Sequence, residues 1–101
     1  MGEGRFDGSM LITPTGFYPW EVRTKEDISI ENLKPILEMA GNVEILIIGM
    51  GPNMAFLSKD IRHMFAKNDI AIEVMDTGAA ARTYNVLLQE GRKVTAALIA
   101  I

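Results

Sequence analysis

The chain has 101 residues, enough for one packed core and too few for two. Its 10 basic and 13 acidic residues give a net charge of −3 and are scattered, so no basic stripe exists to neutralise phosphates, which argues against a nucleic-acid partner. With no cysteine, disulfides, thiolate catalysis and cysteine-based zinc sites are excluded together.

A hydrophobic share of 49 % and a mean hydropathy of +0.16 place the chain on the apolar side for its size. Part of that excess is expected to be covered by a partner protein or by self-association. Residues 1–8 read as a flexible lead-in. They lack the basic-then-apolar pattern of a secretory leader, and no apolar run approaches the roughly 18–20 residues that span a bilayer. The expected location is cytoplasmic.

Ser9 to Thr13 reads as a short strand closed by the turn formers Pro14, Thr15 and Gly16. Phe17 to Arg23 is aromatic and β-branched, with Pro19 confining it to an edge or a bulge. The two segments are expected to pair as a hairpin. Leu33, Ile36, Leu37 and Ala40 have helical spacing, Ser29 or Glu31 could begin that helix, and Gly41-Asn42 ends it. Pro35 predicts a 3-10 first turn.

Val43 to Met50 is a nearly continuous apolar run, the pattern of a central strand buried on both faces. After the loop GMGPNMAFLS, Ser58 is the expected N-cap of a helix through Asn68, with Ile61, Met64 and Phe65 turned inward. Ile70 to Met75 is the next strand. Asp76-Thr77-Gly78 then supplies side-chain oxygens for a helix start, and from Ala79 to Glu90 the apolar Ala80, Tyr84, Leu87 and Leu88 form one stripe. Gly91 suits the left-handed stop, and Val94 to Ile101 is a second doubly buried strand. The order is ββαβαβαβ. It predicts a single three-layer α/β domain over residues 1–101, with a mixed, mainly parallel sheet of about five strands and three helices.

The segments GSMLITPTGFYPW, LIIGMGP and IEVMDTGAAARTYNVLLQEGRKVTAALI together resemble the small domain family that includes the mitochondrial complex I assembly factor three and many uncharacterised bacterial and archaeal proteins. The resemblance runs from about Gly8 to Ile99 and is most specific in VMDTGAAARTYNVLLQEGR. It implies a five-stranded mixed sheet with one strand antiparallel to the others. It also implies bacterial members without an established enzymatic activity, and eukaryotic relatives that act as assembly factors by protein contact. Ala81 stands where many relatives carry cysteine, which argues against an essential thiol.

Two loops are candidates for ligand binding. Gly49-Met50-Gly51 lies between a strand and a helix as a dinucleotide turn would, but the third glycine of the fingerprint would fall at Met54, so the fingerprint fails. A structural turn and an anion site at a helix start both remain open readings. Asp76, Thr77 and Gly78 follow the neighbouring parallel strand, and crevices form outside such strand ends. Arg82 and Asn85 share a helix face leading from that crevice. Arg82 offers a forked donor for an anion, or else is a solvated cation pairing with Asp76 or Glu90. Asp76 reads better as a cap than as a base. His63, the sole histidine, has no partners at triad or metal-ligand spacing. Neither metal nor cofactor is predicted, and no catalytic set is visible.

Phe17, Tyr18, Trp20, Met54, Phe56 and Leu57 occupy the aromatic hairpin and the loop after Gly51, segments that cannot all point into so small a core. They are the expected protein contacts. The favoured expectation is a non-catalytic protein-binding or assembly-factor-like module, with a role in membrane-complex biogenesis through a partner at the inner membrane. The competing expectation is an anion-binding domain or small enzyme using Gly49–Gly51, Asp76–Gly78 and Arg82.

Overall fold

The computed structural model describes residues 8–53 and 55–101. The hairpin forms as expected: β1 (Met10–Thr13) pairs antiparallel with β2 (Gly16–Pro19). The Trp20 N–H donates to the Ser9 carbonyl at 3.0 Å. The antiparallel ladder alternates from that bond, so at Pro19 the missing N–H would point away from β1, where its loss costs no ladder bond.

The next segment is less helical than its spacing predicts. Two 3-10 turns, Lys25–Asp27 and Glu31–Leu33, precede a single α-turn, α1 (Lys34–Leu37). Pro35 sits in the first turn of α1, where a proline needs no N–H partner. The helix expected to run to Ala40 thus ends at Leu37, and the chain turns at Gly41 with φ +100°.

The remaining elements are β3 (Ile45–Gly49), α2 (Lys59–Lys67), β4 (Ala71–Met75), α3 (Thr77–Gln89) and β5 (Val94–Leu98). Each cap has a chemical cause. The Ser58 hydroxyl accepts from the Ile61 N–H, and Asp76 Oδ1 accepts from the Ala79 N–H at 2.8 Å. Gly91 stops α3 at φ +79°, a conformation that carries no Cβ penalty in glycine. Helix α3 begins at Thr77, directly after Asp76, the residue expected to cap it. β5 ends at Leu98, short of Ile101.

The sheet order is β2-β1-β5-β3-β4. Strands β3, β4 and β5 are parallel, and β1 runs antiparallel to both its neighbours. One strand in five therefore opposes the rest. Helices α1 and α2 lie over one face and α3 over the other, giving three layers. The first face carries the main core, built on Leu33, Ile36, Leu46, Ile48, Phe65 and Ile99, all buried. The second is smaller, with Ile47, Ala80 and Val94 at its centre and Tyr84 and Leu87 at its margin. Because α3 packs on β3 and β5, the hairpin beyond them has little cover on that side.

Candidate functional site

The ends of β3 and β4 lie side by side, with Gly49 paired to Met75. The notch between them is bridged by Thr77. Its N–H donates to the Gly51 carbonyl at 2.9 Å. Its hydroxyl accepts from the Gly51 N–H at 2.8 Å and donates to the Ile99 carbonyl at 2.7 Å. One residue at the start of α3 thus ties together the chain leaving β3 and the chain leaving β5.

Close approach explains Gly49. A Cβ there would stand 2.8 Å from the Thr77 Cα and 3.1 Å from the Ala80 Cβ, distances that need a shift of helix against strand. The N–H groups of Gly51, Thr77 and Ala79 are all engaged within the chain, and Asp76 is committed as the cap. Arg82 is exposed and reaches back over the first turn of α3, its Nη1 3.6 Å from where a Gly78 Cβ would stand. Asn85 is exposed one turn further on. The structure therefore brings Gly49, Gly51 and Thr77 into direct contact and leaves Arg82 and Asn85 on the surface beside them.

A second hydroxyl holds the neighbouring strand end. Ser9 Oγ donates to the Val22 carbonyl and accepts from the Ala100 N–H, the latter at 2.9 Å. Ile99 and Ala100, fixed by Thr77 and Ser9, line an open cleft of about 280 Å³ with Met50, Gly51 and Asn53, and the residues Arg23, Lys25 and Glu26 line it from the segment after the hairpin. This cleft lies over the ends of β3 and β5, one strand away from the β3/β4 notch that the sequence suggests. Its cations come from an irregular segment with no periodicity to reveal them.

The expected contact residues divide. Phe17 is 61 % exposed and Phe56 89 % exposed, and Tyr18 is also exposed. Phe17 pairs with Ile12 and Tyr18 with Leu11, so the two aromatic rings project to opposite faces of the sheet. Trp20 is corrected: at 4 % exposure it belongs to the core, with its Nε1–H donating to the Asn32 carbonyl at 3.0 Å. Leu57 is half-buried and packs against the main core, and Met54 lies outside the described residues.

Among the described residues no cluster of three or more His, Cys, Asp or Glu could hold a metal, and no helix is long and apolar enough to cross a membrane. His63 is exposed on α2. Arg92 forms an ion pair with Glu44 at 3.2 Å. The Arg92 hydrogen bond, helped by a backbone bond from Lys93, holds the Glu44 carboxyl below its ordinary 4.5, and burial pushes the Tyr84 phenol above its ordinary 10.0.

A family model described as a protein of unknown function (DUF498/DUF598) matches residues 1–99. An uncharacterised protein of Rhodobacter capsulatus is 37 % identical over 92 residues, covering 91 % of this chain and 68 % of that protein. The NADH dehydrogenase (ubiquinone) 1 alpha subcomplex assembly factor 3 of Xenopus tropicalis is 33 % identical over 92 residues, covering 91 % of this chain and 50 % of its own length. The human protein of the same name is 30 % identical over 92 residues, with the same two coverages. The chain thus spans about half the length of these assembly factors.

Among solved structures, one titled an outer membrane protein from Bartonella henselae superposes with a TM-score of 0.89 at 33 % identity, covering 95 % of this chain and 81 % of that one. A Bordetella pertussis protein described as an Mth938-like domain gives 0.83 at 29 % identity, covering 94 % and 75 %. Matched by the family model from residue 1 to residue 99, and by full-domain relatives in both sequence and fold, the chain belongs to the DUF498/DUF598 family.

Proposed function

We propose that this chain is a non-catalytic protein-binding module of the assembly-factor kind, which meets its partner through the exposed aromatic residues of the hairpin and of the loop after β3. The observation that carries the reading is the exposure of Phe17 and Phe56, 61 % and 89 %, on a domain whose strand-end donors are already spent on internal bonds. Aromatic side chains are enriched at protein interfaces relative to the rest of the surface. The names of the assembly-factor relatives support the same reading. On it, the chain works in the cytoplasm and reaches the inner membrane only through a partner during biogenesis of a membrane complex.

Purification of the tagged chain from its native cells tests this. A stoichiometric protein partner that is lost on Phe17→Ser or Phe56→Ser supports it. A chain that remains alone, or that keeps its partner in both variants, contradicts it.

One observation favours a second reading, an anionic small molecule. The cleft over the ends of β3 and β5 carries the cations Arg23 and Lys25, with Glu26 beside them, at the place where open α/β sheets hold ligands. Arg82 and Asn85 stand on the helix that opens beside it. A melting temperature raised by phosphate or small carboxylates, and no longer raised in Arg23→Ala or Arg82→Ala, would favour this reading over the first.

A further inference from the structure

On the opposite side of the hairpin from Phe17, a groove of about 410 Å³ opens between β2 and the layer of α1. Tyr18, Pro19, Trp20, Pro35 and Met39 supply its apolar surface, and its charged lining residues are Glu21 and Glu31, both exposed. Among the described residues no lysine or arginine lines it. Resting on the protein-binding reading above, we propose that this groove receives a segment of a partner protein that inserts apolar side chains and carries lysine or arginine beside them.

Three observations support that occupant. The first is that α1 is a single turn, too short to cover β2. The groove is also preorganised. Trp20, buried and with its N–H spent on the Asn32 carbonyl, forms a fixed floor to the groove. Asn32 in turn accepts from the Ser29 N–H at 3.0 Å and donates to the Asp27 carbonyl at 2.7 Å, fixing the irregular wall. Rigid walls lower the ordering cost of binding.

Charge supplies the third. Two acids with no cation beside them among the described residues favour a basic partner and repel an anionic lipid surface or a nucleic acid. Pro19 lacks the donor that strand addition along β2 would use. Side chains entering the groove, rather than a sixth strand on the sheet edge, are therefore the mode of contact.

Trp20 is the chain's sole tryptophan, so its fluorescence reports on the groove. The experiment titrates the full chain with two tryptophan-free peptides, each a short leucine and phenylalanine core flanked by lysines in one and by glutamates in the other. Backbone amide shifts are followed in parallel. The expected result is a change in Trp20 emission with shifts at Tyr18, Asn32 and Met39. Affinity for the lysine peptide should be about tenfold or more the stronger, and Glu21→Lys with Glu31→Lys should reverse the preference. No response to either peptide, or equal affinity that is indifferent to Glu21 and Glu31, overturns the proposal. Sedimentation that shows a dimer closing over Trp20 gives the groove to a second copy and overturns it too. If the peptides fail while native partner binding still depends on Phe17 and Phe56, only the groove assignment falls. If neither surface matters to partner binding, the protein-binding reading falls with it.

Discussion

Thr77 and Gly51 hold each other by two reciprocal hydrogen bonds, the N–H of each donating to an oxygen of the other at 2.9 and 2.8 Å. With the third bond from the Thr77 hydroxyl to the Ile99 carbonyl, they close the end of the parallel sheet. Thr77→Val keeps the shape and removes the hydroxyl, leaving the Gly51 N–H and the Ile99 carbonyl without that partner. A loss of about 2 kcal/mol in urea unfolding is expected. Thr77→Ser, which keeps the hydroxyl, should lose clearly less.

Gly49 is required by space rather than by backbone freedom. The Cβ of Gly49→Ala would stand 2.8 Å from the backbone of Thr77, and neither the strand nor the helix start can yield without disturbing the bonds above. Destabilisation of about 2–3 kcal/mol is expected, with amide shifts concentrated in the first turn of α3.

Thr95 offers the opposite sign. It is fully buried in β5, opposite Leu46, and its hydroxyl has no hydrogen-bond partner among the described residues. A buried hydroxyl without a partner costs free energy that a methyl group does not. Thr95→Val, close to isosteric, should raise stability by about 1 kcal/mol, read as a higher urea midpoint with an unchanged slope.

Stability should also follow pH at two groups. Glu44 titrates below 4.5 in the folded chain because of Arg92, so its contribution is present above that value and fades as pH falls through the lowered one. Glu44→Gln should remove this part of the acid loss, a small part because the pair is exposed. Tyr84 titrates above 10.0 because of burial. Its contribution is complete below pH 10 and is lost as pH rises beyond it, so Tyr84→Phe should flatten the alkaline limb of the unfolding midpoint.

These residues also mark what can be read from the amino acids alone. Strands and helices with strong periodicity were legible, because Ile45–Gly49 and Val94–Leu98 are apolar on both faces and Ile61 and Phe65 recur at helical spacing. Asp76 as a cap and Gly91 as a stop follow from local chemistry, and both hold. Residues 24–33 carry no period, and their shape comes from Asn32 and Asp27 bonding to backbone, which no spacing announces. Composition does not say which ring of a short hairpin turns inward, so the sequence alone does not separate Trp20 from its exposed neighbours. The adjacency of Gly49 and Met75 was legible from strand order. That a threonine side chain would bridge the space between the loops beyond them was not.

The proposed contact surface is the exposed aromatics, Phe17 and Phe56, rather than chemistry at the strand ends. The most direct measurement is the affinity of the purified native partner for the chain and for the Phe17→Ser/Phe56→Ser double variant, with unfolding curves taken on both. Binding weakened by about tenfold or more is expected, with stability changed by no more than about 0.5 kcal/mol per site. Unchanged affinity in a folded double variant, together with a phosphate or carboxylate melting shift that Arg82→Ala abolishes, would contradict it.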